Sequence, residues 1–272
     1  MSDAIDTGDH AFVPKRCTSA DRVMWITKDR LFYAGLLGAR SLHTQGALVA
    51  YVAIDGRLRV RLEGGEWQAT EVAIVQPYVP YEIACEGRNV LIVLIEPETV
   101  DASALPPLLR LCGAVHAPDF AVHVREVHRR LASQGGALDL RPCDFDQSFF
   151  GAALPARALD QRIASVLERI KADPTGAVAS DECASRVNLS ISRFRHLFKE
   201  EVGIPFRNVR AWKRARSLLH HVHTDASLVD VALDIGYPDS THFSHSIRQV
   251  YGLKPRDIIA GSRKLRIIAQ AL

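Results

Sequence analysis

The chain has 272 residues, 47% of them hydrophobic, and a formal net charge of +3. That length predicts about two domains, each able to bury its own core, and no apolar run of about 18 residues is present to cross a membrane. The charge is uneven: residues 156–272 carry 19 Lys and Arg against 12 Asp and Glu, while the preceding residues carry 15 against 19, so the C-terminal part suits a phosphate backbone and the N-terminal part does not.

Residues 1–20 are polar and aperiodic, and read as a loose terminus or a weakly signalled first strand. Their early acids, Asp3 and Asp6, are unlike an export signal. From Trp25 to Glu96 short β segments follow one another. Leu48 to Ile54 is a β-rich run, Asp55-Gly56 has hairpin-turn chemistry, and Arg57 to Leu62 alternates strictly, with Leu58, Val60 and Leu62 on one side. Gly64-Gly65 turns the chain again, Val72 to Val75 is a further strand, and Val90 to Ile95 reads as a buried one. This spacing predicts a small barrel or sandwich.

Beyond Pro106 the pattern becomes helical. Pro118-Asp119 opens a helix whose apolar stripe is Phe120, Val124, Val127 and Leu131. Gln134 to Pro155, with Arg141-Pro142, Gly151 and loop carboxylates Asp144 and Asp146, reads as a linker. Leu159 to Lys171 starts a second, helical domain, with Asp173-Pro174 as its stop.

The stretch Leu228 to Pro255 then reads as a helix-turn-helix. Leu228, Val231, Ala232 and Ile235 have helical spacing, Gly236 supplies the turn, Asp239 is placed to cap a second helix, and Phe243, Ile247 and Val250 form its apolar stripe. The other face carries Ser240, Thr241, Ser244 and His245, short polar groups suited to base edges in a major groove. The pattern occurs twice. At an offset of 49, Phe243 falls on Phe194, His245 on His196, Arg248 on Lys199 and Gly252 on Gly203; before the turn the offset is 48, pairing Ala232 with Ala184 and Gly236 with Asn188.

Two such units, joined by a helix from about Phe206 to His221, resemble the DNA-binding domain of AraC/XylS-type transcriptional regulators. The signature is Gly236-Tyr237, Ser240, His242-Phe243-Ser244, Gly252 and Pro255, with Ser190, Phe194, Phe198-Lys199, Gly203 and Pro205 in the first unit and Ala215 and Leu218-Leu219 in the joining helix. The resemblance implies binding of double-stranded promoter DNA by Ser192, Arg195, Ser240, Thr241 and Ser244; Arg193 and Lys199 read as phosphate contacts or solvated charges. It also implies contact with RNA polymerase for an activator. His196 and His245 stand where the family usually carries Arg, as does Ala211 in the joining helix.

The N-terminal half resembles the cupin-like effector domain of such regulators through Asp55-Gly56, Pro77-Tyr78-Val79-Pro80-Tyr81 and Leu94-Ile95-Glu96-Pro97-Glu98. The resulting expectation is an α+β protein: a cupin-like β-barrel with a helical hairpin over 1–133, a linker over 134–155, an all-α double helix-turn-helix domain over 156–260, and a basic tail over 261–272. A small-molecule effector would be lined by Trp25, His43, Tyr51, Tyr78 and Tyr81, and a homodimer would form through the helical hairpin. The rival reading is a cupin-type metal enzyme with an appended helical domain. His43 alone cannot hold a metal, and no nucleophile elbow, phosphate loop or dinucleotide fingerprint is present, so no enzyme activity, cofactor or metal is expected. His220, His221 and His223 read as groups favoured by a helix C-terminus. The scattered cysteines Cys17, Cys85, Cys112, Cys143 and Cys183 read as buried thiols of a cytoplasmic protein.

Overall fold

The structure, a computed structural model, describes residues 22–38, 40–87, 89–133, 143–176, 179–221, 227–262 and 265–269. The N-terminal strands are β1 (Val23–Ile26), β2 (Arg30–Leu36), β3 (Leu48–Ala53), β4 (Leu58–Leu62), β5 (Gln68–Thr70), β6 (Val72–Val75), β7 (Tyr81–Cys85), β8 (Asn89–Ile95) and β9 (Gly113–Val115). Helices α1 (Pro118–Ser133) and α2 (Cys143–Phe150) follow. The C-terminal part comprises α3 (Gln161–Ala172), α4 (Ser180–Arg186), α5 (Ile191–Val202), α6 (Phe206–Ser217), α7 (Leu228–Asp234), α8 (Ser240–Tyr251), α9 (Pro255–Ser262) and β10 (Arg266–Ala269).

One sheet has the order β10-β1-β2-β8-β3-β6-β9 and a second has the order β5-β4-β7. Because side chains alternate along a strand, β3 serves two cores. Val49, Tyr51 and Ala53 meet Leu58 and Val60 of β4 and Ile83 of β7, while Leu48, Ala50 and Val52 join Val124, Val127 and Leu131 of α1 and Phe145 and Phe149 of α2. Burial on both faces is why β3 reads as an unbroken apolar run.

Several expectations change. Asp55-Gly56 does turn, with Gly56 at φ +62°, but it is not a hairpin: β3 pairs with β6 and β8, whereas β4 pairs with β5 and β7. The expected linker 134–155 contains α2, whose Phe145 ring lies 5.0 Å from Trp25 and 4.7 Å from Phe149. An aromatic-rich segment of eight residues is too apolar to leave in water. Asp146 is not a solvated loop acid, since the Arg30 guanidinium grips it at 2.7 and 3.0 Å. The expected basic tail includes β10, which pairs with β1 in parallel from Arg266 opposite Val23. Cys183 is buried, but Cys112 is exposed. Residues 1–20, Cys17 and His223 lie outside the described residues.

Two structural links hold the helical domain against the sheet. A continuous apolar core runs from Tyr51 and Leu94 to Trp212 of α6, Leu218 just after it and Phe243 of α8. A buried polar cluster lies beside it. The Trp212 indole donates to Glu96 Oε2 at 2.8 Å, Lys213 Nζ lies 3.1 Å from the same oxygen and also pairs with Glu98, and Arg216 Nε lies 2.9 Å from Glu96 Oε1. The Arg216 guanidinium also donates to the carbonyls of Lys28 and Thr27, both at 2.7 Å.

Candidate nucleic-acid interface and interdomain cavity

The repeat in the sequence is realised helix by helix. Helices α4 and α7 have equal lengths at an offset of 48, and α5 and α8 at 49. Ser190 caps α5 by accepting from Arg193 N, and Asp239 caps α8 by accepting from Thr241 N and His242 N at 2.8 Å each. Those bonds hold the Asp239 carboxyl below the usual carboxylate range, the His242 amide contributing most. The His242 ring is exposed and reaches back to Asp239 Oδ2 at 2.7 Å, so it does not fill a packing slot beside Phe243. Asn188 and Gly236 make the turns at φ +54° and +76°. At Gly236 a β-carbon would also lie 2.5 Å from the Thr175 carbonyl oxygen, which is why the second turn takes glycine.

Each of α5 and α8 turns its apolar stripe inward. Phe194 and Phe198 of α5 meet Phe206 of α6 with ring centroids 5.2 Å away in both cases, and Ile163, Val166 and Leu167 of α3 close the first unit's core. In the second unit the Tyr237 ring lies 5.4 Å from Phe243, and its hydroxyl meets Ser246 Oγ at 2.8 Å. With these residues inside, Ser192, Arg193, Arg195, His196 and Lys199 are exposed on α5, as are Ser240, Thr241 and His245 on α8; Ser244 is half-buried. Arg195, His196 and Lys199 line one surface cleft together with Ser180 and Arg207. Arg195 Nη2 already bonds Ser180 Oγ at 2.8 Å, which fixes the fork. Sequence reading missed Ser180 and Arg207, which belong to neighbouring helices and come close only through the turn and the start of α6.

A second concavity, of about 250 Å³, lies between the large sheet and the end of α8. Of the expected effector residues, His43 and Tyr51 line it. The other three do not. Trp25 points to the opposite face of β1, against α2, and Tyr81 stands behind Tyr51, fully buried. Tyr78 sits at φ +62° near the Gly46–Trp212 contact. The alternation of β1 explains Trp25: its neighbour Met24 faces the cavity instead. His43 is wedged between the sheet and the C-cap of α8. Its ring stacks on Tyr81 at 5.3 Å, it bonds the backbone of Val250, and burial lowers its pKa. Its place in the barrel is therefore a packing position against α8. Among the described residues no cluster of three or more His, Cys, Asp or Glu is arranged to hold a metal ion, and no helix is long and apolar enough to cross a membrane.

A family model described as a helix-turn-helix domain matches residues 183–260. The HTH-type transcriptional activator RhaS of Klebsiella pneumoniae (strain 342) is 31% identical over 106 residues, covering 38% of this chain and 37% of that protein. RhaS of Escherichia coli O139:H28 is 33% identical over 84 residues, 30% of each. The matched regions thus span 30–37% of the length of these relatives. Among solved structures, ToxT from Vibrio cholerae O395 matches 86% of this chain and 98% of its own, with a TM-score of 0.55 at 10% identity. ToxT of strain SCE256 bound to an unsaturated fatty acid matches 86% and 96%, with a TM-score of 0.51 at 10% identity. That likeness is one of fold: a β-rich domain followed by a helical one.

Proposed function

We infer that this chain, whose C-terminal domain is an AraC-type helix-turn-helix domain, is a DNA-binding transcription regulator of the cytoplasm that grips promoter DNA with both of its units. The observation that carries this is the register of the duplication: two twelve-residue helices with the same capping positions, each exposing a short polar or cationic face. Arg195, Ser192, Ser240, Thr241 and Ser244 are the base-edge candidates, His196 and His245 flank them, and Arg193 and Lys199 address phosphate.

The span sets the geometry of the complex. Helix α6 has twelve residues, about 18 Å at 1.5 Å each, and the 3-10 turn Leu218–His220 adds roughly 6 Å. Successive major-groove faces lie about 34 Å apart, so DNA held by both units bends toward the protein. Footprinting tests this: the wild-type chain protects two segments a helical turn apart, and Arg195→Glu with Ser244→Glu removes both. Protection unchanged in that double variant refutes the assignment.

The second part of the reading is control by a small molecule. The cavity has walls from both the sheet and α8, so a molecule filling it touches the sensing and the DNA-binding parts at once, and a protein of this fold, ToxT, is known in a fatty-acid-bound form. Homodimerisation through α1 would use its outer face, where Val122 is 59% exposed, because Ala121, Val124, Val127 and Leu131 are spent on the sheet. An activator of this design would also meet RNA polymerase.

A further inference from the structure

Resting on the reading that the interdomain cavity holds an effector, we propose that its ligand is a small, uncharged, largely apolar molecule with one hydroxyl group, an alkylphenol or comparable alcohol, received by Tyr51 and Gln45. The walls are apolar on both sides: Met24, Leu31 and Leu94 from the sheet, and Leu219, Val250 and Leu253 from the helical domain. At about 250 Å³ the space exceeds the roughly 150 Å³ that accommodates benzene in an apolar protein cavity. It therefore suits a ring with an alkyl substituent.

The polar end is where chemical class is decided. The Gln45 amide donates to the hydroxyls of both Tyr51 and Tyr81, and those two hydroxyls bond each other. Two phenols hold two protons, and the mutual bond uses one. With Tyr81 donating to Tyr51, the Tyr51 proton has no acceptor among the described residues, and Tyr51 is the member of the pair that lines the cavity. The Gln45 side-chain oxygen, Oε1, likewise receives no bond from a described residue, the main-chain oxygen being taken by Tyr78 N at 2.8 Å. A spare donor beside a spare acceptor is the complement of a hydroxyl, which accepts from Tyr51 and donates to Gln45.

Charge points the same way. Burial holds both phenols protonated and His43 toward its neutral form, so this end offers no cation. Of the charged side chains on the lining, Arg22 stands ahead of β1, three strands across the sheet from Tyr51 of β3, and Asp257 lies 3.6 Å from Arg256. A carboxylate entering the polar end would lose its hydration with no countercharge to replace it.

The test uses the full chain and the neutral fluorophore N-phenyl-1-naphthylamine, displaced by 4-hexylphenol, hexylbenzene or 4-hexylbenzoate. The phenol should displace best and the benzoate worst. Tyr51→Phe should weaken the phenol about three- to tenfold, the range of one neutral hydrogen bond, and leave hexylbenzene unchanged. Gln45→Leu should do the same, which keeps the test open should one variant fail to fold, and Leu253→Trp should block the fluorophore. The proposal is overturned by a benzoate that competes as well as the phenol, by an unaltered phenol preference in both polar variants, or by fluorophore binding that Leu253→Trp leaves intact. No fluorophore binding in the wild type overturns it as well. Affinity for DNA selected from a random pool, measured on the same preparations, separates the two readings: DNA bound without ligand sinks only the cavity proposal, and ligand bound without DNA sinks the regulator.

Discussion

Lys213, on the inner side of α6, holds its ammonium 3.1 Å from the carboxylate of Glu96 at the end of β8, and neither side chain is more than 4% exposed. Glu98, Arg216 and the Trp212 indole complete a cluster with two acids and two bases. Burial outweighs the two cations and keeps the Glu96 carboxyl above the usual range. Such a pair adds little net stability when compared with apolar replacements, but breaking it is expensive. Lys213→Met should therefore destabilise the chain by about 3–5 kcal/mol in urea unfolding at neutral pH, because buried Glu98 loses its ion-pair partner and Glu96 keeps only Arg216 as a countercharge. The sign of the pH effect follows. A carboxyl whose folded pKa is raised contributes stability below its unfolded value near 4.5, and that contribution is lost as pH rises through the folded pKa. The variant's deficit should thus be smallest in acid and grow toward neutrality, and Lys213→Met/Glu96→Gln should recover part of it.

The glycines that close the two recognition helices make an internal comparison. Gly203 and Gly252 are both left-handed, at φ +80° and +65°, but a β-carbon at Gly203 meets open space whereas one at Gly252 would lie 2.1 Å from His43 Cε1. Gly203→Ala should cost only the left-handed backbone penalty, about 1–2 kcal/mol. Gly252→Ala should cost more and also weaken DNA binding, because the clash tilts α8 against the sheet. In a His43→Ala background the excess should vanish. Equal melting temperatures for the two glycine variants would show that the His43 contact does not constrain the second unit.

On the DNA face, a phosphate contact and a base contact leave different signatures. Lys199→Ala should weaken all sequences alike and reduce the slope of log affinity against log salt by about 0.9. Arg195→Ala should instead relax discrimination at one base pair by about 1–3 kcal/mol. Competition titrations over single-base variants of the site, at two salt concentrations, separate these effects. A Lys199 variant that changes sequence preference would reverse the two roles.

The helix-turn-helix domain was legible because its determinants are local. Capping residues, turn residues and 3.6-residue stripes lie within a dozen positions of one another, and the duplication supplies each with an internal check, Ser190 against Asp239 and Asn188 against Gly236. What was missed depends on long-range pairing. Nothing near Phe145 announces that Trp25 and Phe32 will receive α2, and an isolated eight-residue aromatic segment between Pro142 and Pro155 has the look of a connection. The same applies to β10, whose partner β1 lies at the other end of the chain. Aromatic residues near the barrel were visible, but which of them face the cavity depends on strand register, and a one-residue difference separates Met24 from Trp25. The ionic cluster was invisible for a further reason: Lys213 and Arg216 on a helix surface read as solvated charges until the sheet that buries them is in place.

The start of the helical domain supplies a last test. Asp160 caps α3 by accepting from Arg162 N at 2.8 Å and also pairs with the Arg162 guanidinium, while Glu201 Oε2 accepts from the Asp160 amide at 2.7 Å. The Arg162 side chain contributes most to holding the Asp160 carboxyl down at about 2, from an ordinary 3.8. An acid with a depressed folded pKa lends stability above its unfolded pKa and loses it as pH falls through the folded one. Asp160→Asn keeps a capping oxygen but not the charge. The variant should therefore be less stable than wild type from neutrality down to about pH 4, with the gap closing between there and about pH 2. Paired urea midpoints across that range check it, with Arg162→Ala as the second arm. A gap that stays constant down to pH 2 would place the contribution of Asp160 in its capping geometry alone and remove the ion pair from the stability of α3.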